Sequence, residues 1–181
     1  MPSKLQQDFF RKTGKIERFL FFKGFFDPGL RFLYFFRNAQ KHSPKSFSGI
    51  LYRMILRRYQ IRYGFQISAR SEIGPGLYLG HWGAVVVNPE VKIGKNCNLA
   101  HGVTIGQTNR GEKMGIPTIG DDVWIGTNAV IVGGIKIGNN VLIAPNSYVT
   151  TDVPDNSIVV GNPARMMISE TATEGYINNK V

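Results

Sequence analysis

Through the second half of this chain an aliphatic side chain returns at a six-residue interval, at Ile67, Ile73 and Leu79, then at Val87, Ile93, Leu99 and Ile105. After a gap the beat resumes at Ile119, Ile125, Ile131, Ile137, Ile143 and Val149. Four residues after each of these except Ile105 stands another small or apolar residue: Ser71, Leu77, Gly83, Val91, Cys97, Val103, Val123, Ala129, Ile135, Val141, Ser147 and Val153. Two inward positions per six do not suit an α-helix, whose apolar face recurs every three to four residues and in which each glycine costs about 1 kcal/mol relative to alanine. They suit short strands joined by tight corners, three strands to a triangular coil, with the coils stacked as near-identical units. Gly94, Asn96, Gly126, Asn128, Gly138 and Asn139 fall at corners, where they are expected to supply left-handed backbone.

Leu79, Leu99, Ile125 and Ile143 share one face of this prism, separated by 20, 26 and 18 residues. The excess over eighteen places a two-residue insertion near Val85 to Val87 and an eight-residue insertion within Gln107 to Thr118. A regular array gains no stability from such a loop, and loops of this kind carry function. Two positions beyond the aliphatic residues of the same face stand His81, His101, Thr127 and Pro145, stacked at about 4.8 Å per coil. An imidazole with an unperturbed pKa of about 6.5 can take a proton from a hydroxyl near neutral pH. General-base assistance of that kind contributes about 10² to 10⁴ in rate. Read from spacing alone, each histidine is equally a corner residue without a role. His42, outside the array, reads as a solvated loop residue.

The N-terminal third has a different character. Residues 1–64 hold 14 Lys+Arg against 3 Asp+Glu, residues 65–181 hold 8 against 9, and the net charge of +10 therefore sits at the front. Eleven of the twelve phenylalanines are there too, in clusters such as Phe19-Leu20-Phe21-Phe22, Phe25-Phe26 and Phe32-Leu33-Tyr34-Phe35-Phe36. The pattern predicts helices: Phe47, Ile50, Leu51, Met54 and Ile55 share a face, Ser46 or Ser48 caps the start, and Asp27-Pro28-Gly29 breaks the segment. Two accounts stay open for the aromatics: packing on the coil and on a neighbouring subunit, or adhesion to an anionic bilayer, where each basic residue contributes roughly 1 kcal/mol. Nucleic-acid binding lacks any recognised reading motif.

The expected organisation is a basic helical segment over 1–64, a coil domain over 65–168 with its long loop at 107–118, and a tail over 169–181. The single cysteine, Cys97, falls on an inward position, which excludes an internal disulfide and suits a cytoplasmic protein. No signal-peptide pattern and no apolar run of the ~20 residues needed to span a bilayer are present, so any membrane contact is expected to be peripheral. Too few histidines and carboxylates converge for a metal, no Ser-His-Asp set is brought together, and phosphate-cradling motifs are absent.

Three pieces in order, Gly76-Leu77-Tyr78-Leu79-Gly80-His81-Trp82-Gly83, Gly102-Val103-Thr104-Ile105-Gly106 and Val160-Gly161-Asn162-Pro163-Ala164-Arg165, give the chain from about Gly64 to Met167 its resemblance. It resembles the hexapeptide-repeat acyltransferases, and within them the serine acetyltransferases and their relatives in polysaccharide biosynthesis. The resemblance implies a left-handed parallel β-helix, a homotrimer, and acetyl-CoA bound in a cleft between adjacent prisms. It makes His81 the catalytic base and puts Gln66 where the family has an Asp that orients that base. It puts Gly106, Gln107, Thr127 and Pro145 along the pantetheine arm, Arg165 near the CoA-binding end, and Trp124 at the cleft or in packing. His101, one coil along, is the candidate for placing the acceptor.

The chain also departs from the serine enzymes. Gly80 replaces the Asp before the base, and Gly115-Ile116 replaces an Arg-His pair in the long loop. An amide at Gln66 accepts a hydrogen bond from imidazole but cannot stabilise imidazolium by charge. The expected activity is therefore acetyl transfer from acetyl-CoA to a sugar hydroxyl in surface polysaccharide assembly, at the inner membrane. The rivals are a serine O-acetyltransferase and a non-catalytic trimeric scaffold with a membrane tether.

Overall fold

The computed structural model describes residues 2–15 and 26–181, so the Phe19-Leu20-Phe21-Phe22 cluster and Phe25 lie outside the described residues. Three parallel sheets form the sides of a solenoid. The first contains Phe65–Ile67, Val85–Val87, Thr104–Gly106, Val130–Val132 and Tyr148–Val149. Glu72–Ile73, Lys92–Ile93, Thr118–Ile119 and Lys136–Ile137 make the second. On the third lie Tyr78–Leu79, Asn98–Leu99, Val123–Ile125, Val141–Ile143 and Ser157–Val160, closed by the antiparallel strand Arg165–Ile168.

The six-residue beat is the interior of this prism. Ile67, Ile105, Ile125, Ile131, Ile137 and Ile143 are fully buried, and Leu77, Cys97, Val103 and Ala129 fill the intervening positions. Leu79, Leu99, Ile125 and Ile143 are register partners in succession. The beat shortens at the end, because Val153 pairs with Ile137 and so takes the next aliphatic position itself, two residues early.

The corner glycines act differently from expectation. Gly94, Gly126 and Gly138 do not have positive φ. A Cβ at Gly94 would lie 2.6 Å from the Gly120 carbonyl oxygen, at Gly126 2.6 Å from the Pro145 nitrogen, and at Gly138 2.5 Å from the Asp155 nitrogen. They are small because the next coil runs against them. Left-handed backbone is supplied by Asn96 and Asn128, as expected, and also by Asp122, Asn140, Asn146 and Asn156, with φ between 51° and 59°. Asn139 is not among these. Its side-chain oxygen accepts the Asp121 N–H at 2.8 Å, and its own N–H donates to Asp155 Oδ1 at 2.7 Å, so it serves as a rung of a polar ladder down that corner.

Among the described residues three helices precede the coils: α1 (Lys4–Thr13), α2 (Pro28–Lys41) and α3 (Phe47–Tyr63). Ser3 and Gln6 form a capping box on α1, Asp27 caps α2 with Pro28 in its first turn, and Ser46 caps α3. Asp27-Pro28-Gly29 is thus the start of a helix. Phe32 and Phe36 of α2 are fully buried, with the Phe32 ring edge-on to Phe65 at 5.0 Å. Burial of each such ring contributes about 1.5–3 kcal/mol. Of the five residues expected to share a face of α3, only Ile55 packs against the core. Phe47, Ile50, Leu51 and Met54 point to solvent, while Gly49, Leu56 and Tyr63 are buried. The inward face is set by the aromatics Tyr52 and Tyr59, which meet Phe35 of α2.

A buried ion pair locks α1 to the first coil. Arg37 of α2 donates to both Asp8 carboxylate oxygens, at 2.7 and 3.1 Å, and to the carbonyls of Ile73 and Gly74 at 2.8 and 2.6 Å. Asp8 also accepts the Leu77 N–H at 3.0 Å. Burial raises the Asp8 carboxyl above its ordinary range, opposed by the Arg37 charge and these hydrogen bonds.

The expected tail is built into the fold. Ala172 and Ile177 are buried, Asn98 donates to the Tyr176 carbonyl at 3.2 Å, and Val181 N–H donates to Asn96 at 2.9 Å. No helix among the described residues is long and apolar enough to cross a membrane.

Candidate functional site

His81 lies on the corner between the third and first sheets, and the structure locates the two-residue insertion there. Register partners are twenty residues apart from Phe65 with Val85 through Leu79 with Leu99, and eighteen apart at Val86 with Thr104 and Val87 with Ile105. The extra residues therefore fall between Leu79 and Val85, slightly before the expected place. At later corners the chain follows its neighbour: Asn128 N–H bonds the His101 carbonyl at 3.1 Å, and Asn146 N–H bonds that of Thr127 at 2.9 Å. At the first corner Gly83 N–H instead bonds the carbonyl of Tyr63, the last residue of α3, at 2.9 Å. His81 and Trp82 consequently stand on a longer corner, both exposed.

His101 lies directly along the solenoid, its ring perpendicular to that of His81 with centroids 5.9 Å apart. Neither ring has a hydrogen-bond partner within the described chain. Thr127 and Pro145 continue the line at successive corners, each followed by a left-handed asparagine. At about 4.8 Å per coil the line from His81 to Pro145 runs about 14 Å. Beyond it the chain turns at Gly161, whose carbonyl accepts the Tyr148 N–H at 3.0 Å, and reaches Arg165, exposed at the start of the closing strand.

The eight-residue insertion is a folded hairpin. Thr108 and Gly115 exchange backbone hydrogen bonds at 3.0 and 2.9 Å around a tip at Gly111, which has φ of 79°. The hairpin rests on the next coil, where Gly134 N–H donates to the Lys113 carbonyl at 2.8 Å, and Lys113 Nζ pairs with Asp152 at 2.7 Å. Side chains at Gly133 and Gly134 would each come within 2.8 Å of a loop carbonyl. Gln107 opens the loop and donates to Asn109.

Gln66 and Gly106 sit together on the first sheet, in a groove of about 750 Å³ bordered by Arg53 and Arg57 of α3. Gln66 is exposed, partnered in register with Val86, and makes no hydrogen bond to His81. His81 is not among the residues lining this groove. Trp124 lies on the third sheet against Tyr176 of the C-terminal segment, centroids 4.9 Å apart. Gly80 is backed by the Tyr78 ring, which stands 3.1 Å from where a Cβ would be. Arg11 and Lys12 of α1 hold the Tyr78 ring at 5.8 and 5.5 Å. Reading the sequence missed this contact of α1 with Tyr78 because nothing in residues 4–13 repeats the beat. Among the described residues no group of three or more His, Cys, Asp or Glu is placed to hold a metal.

Comparison with known proteins agrees with this geometry. Residues 116–151 match the bacterial transferase hexapeptide (six repeats) family. WcaB of Escherichia coli K12, named for an acetyltransferase of colanic acid biosynthesis, is 42% identical over 120 residues, 66% of this chain and 71% of WcaB. The serine acetyltransferase of Helicobacter pylori strain 26695 is 31% identical over 143 residues, 79% of this chain and 83% of that one. The chain spans only 30% of the Arabidopsis thaliana serine acetyltransferase 4 that it matches at 38% identity. Among solved structures, Neisseria gonorrhoeae serine acetyltransferase superposes with a TM-score of 0.73 at 28% identity, over 92% of this chain and 63% of that one. Serine acetyltransferase of Brucella abortus in complex with coenzyme A does so with 0.73 at 27%, over 92% and 65%. On these identities and coverages, the chain belongs to the hexapeptide-repeat transferase family, alongside the serine and colanic acid acetyltransferases.

Proposed function

We propose that this protein is an acetyl-CoA-dependent O-acetyltransferase acting on a sugar hydroxyl in the assembly of a surface polysaccharide, and that it works as a homotrimer. His81 takes the proton of the acceptor hydroxyl. The freed oxygen attacks the thioester carbonyl, the carbon–sulfur bond breaks, and the CoA thiolate recovers the proton from the imidazolium, without an acyl-enzyme. Backbone N–H groups by the long loop stabilise the oxyanion. Gly106, Gln107, Thr127, Pro145 and Arg165 run along the donor, Trp124 borders it, and His101 helps place the acceptor. His81 is exposed and outside the single-chain groove, which supports a site completed by a neighbouring prism.

The observation that carries the choice of acceptor is Gly80 against Tyr78. A Cβ there would come 3.1 Å from the Tyr78 ring, tighter than ordinary contact, and Gly80 offers no carboxylate before the base to meet an amino group. A neutral hydroxyl needs none. The names of the solved neighbours favour a second reading, serine O-acetylation. Purified protein is incubated with acetyl-CoA and either serine or a panel of nucleotide sugars and oligosaccharides, and thiol release is followed with mass analysis of the product. Sugar-dependent release with an acetylated sugar supports the proposal. Serine-dependent release with O-acetylserine refutes it, and failure to bind CoA removes the enzyme altogether.

A further inference from the structure

Helix α3 is apolar on two opposite sides. One side packs on the fold through Gly49, Leu56 and Tyr63. On the other, Phe47 is 86% exposed, Met54 66% and Ile61 70%, with Ile50 and Leu51 also exposed between them. At about 100° per residue these five fall in one sector roughly 100° wide, running about 21 Å along the helix. Scattered exposed apolar residues are ordinary, whereas a contiguous stripe along a whole helix marks an interaction surface.

The charges around the stripe say what covers it. The sequence of α3 contains no acidic residue. Arg58 lies within the stripe, Arg57 and Arg62 border it, and Lys45 stands just before the helix, all exposed. None of these four side chains has an ion-pair or hydrogen-bond partner among the described residues. A second copy of this face would set arginine against arginine. A sheet of phosphates over acyl chains matches both halves of the pattern, because long basic side chains reach headgroups while the apolar side chains between them go deeper.

We propose that α3 is a membrane-docking helix, lying flat on an anionic phospholipid surface with Phe47, Met54 and Ile61 seated below the headgroups and Arg57, Arg58 and Arg62 on their phosphates. The helix is too short and too charged to span. The inference stands whatever acceptor the enzyme uses.

The test is co-sedimentation of the full chain with vesicles of phosphatidylglycerol and phosphatidylcholine, against phosphatidylcholine alone, at low and high salt. Two variants accompany wild type: Phe47→Glu/Met54→Glu/Ile61→Glu and Arg58→Glu/Arg62→Glu. All five positions are exposed, and circular dichroism and vesicle-free thiol release check that each variant folds. Wild type is expected to bind only the anionic vesicles, with affinity falling about tenfold or more in either variant and in high salt. Absence of wild-type binding overturns the proposal, as does full binding by the apolar-stripe variant. Loss of an assembly in the stripe variant by light scattering, without vesicle binding by wild type, would make the face an interface between copies and likewise overturn it.

Discussion

Replacing Asp8 by alanine should release α1 while leaving the coils intact. The pair is buried on both sides, with side-chain exposure of 0% for Asp8 and 5% for Arg37. Removing the carboxylate takes away both guanidinium bonds and the acceptor of Leu77 N–H, while Arg37 stays in place on the carbonyls of Ile73 and Gly74. Breaking a buried pair from one side costs about 3–5 kcal/mol, because a charge is left without compensation. Helix α1 is otherwise held by Phe9, by Arg11 and by Lys4 and Lys12, so the loss should appear as local opening. The assay is amide hydrogen exchange read by mass spectrometry on peptides covering residues 4–13 and the solenoid strands. Exchange in α1 should accelerate about a hundredfold or more, that of Val123–Ile125 and Val141–Ile143 should not change, and Asp8→Ala/Arg37→Met should recover part of the protection. Unchanged protection of α1 in the single variant, or a double variant as exposed as the sum of both singles, would refute the reasoning.

Other expectations follow from single contacts. Gly102→Ala should lower the melting temperature well beyond Gly111→Ala. Both glycines have positive φ, but a Cβ at Gly102 would strike Asn128 Oδ1 at 1.8 Å while Gly111 has open space, so only the roughly 1–2 kcal/mol backbone cost applies at the loop tip. Cys97 is fully buried and its thiol is pushed up to about 12, so an aromatic disulfide reagent near pH 8 should modify none of the native protein and one thiol per chain after denaturation. The hydrogen bond from Lys113 holds the Asp152 carboxyl below its ordinary value. Its stabilising contribution is present above the unfolded carboxylate value of about 3.9 and is lost as pH falls through the lower folded one, so acid should loosen the loop hairpin, with the change absent in Asp152→Asn by hydrogen exchange of residues 108–115. The effect is small because the pair is exposed, under about 1 kcal/mol.

The solenoid was legible because a period of six is imposed by its interior, where every inward residue meets its counterpart one coil away. The histidine line and the long loop followed from the same arithmetic, since Leu79, Leu99, Ile125 and Ile143 are true register partners. Handedness could not be had from spacing and came only with the resemblance. Features outside the period were read less well. Gly94, Gly126 and Gly138 are constrained by backbone one coil away, which no local pattern reports, and Asn139 looked like its neighbour Asn140 although it makes a ladder bond rather than a turn. On α3 both faces are apolar, so helical periodicity could not say which one is inward. The Asp8–Arg37 lock and the refolding of residues 169–181 along the third sheet join segments distant in sequence, and unrepeated polar contacts leave no periodic trace.

The central claim is that His81 is the base that activates the acceptor hydroxyl, and kcat/KM for acetyl transfer in wild type, His81→Ala and His101→Ala tests it most directly. The account predicts a loss of about 10² to 10⁴ for His81→Ala with donor binding retained, and a much smaller loss for His101→Ala expressed mainly in KM for the acceptor. Retention of wild-type turnover by His81→Ala, with His101→Ala inactive, would contradict it and move the chemistry one coil along.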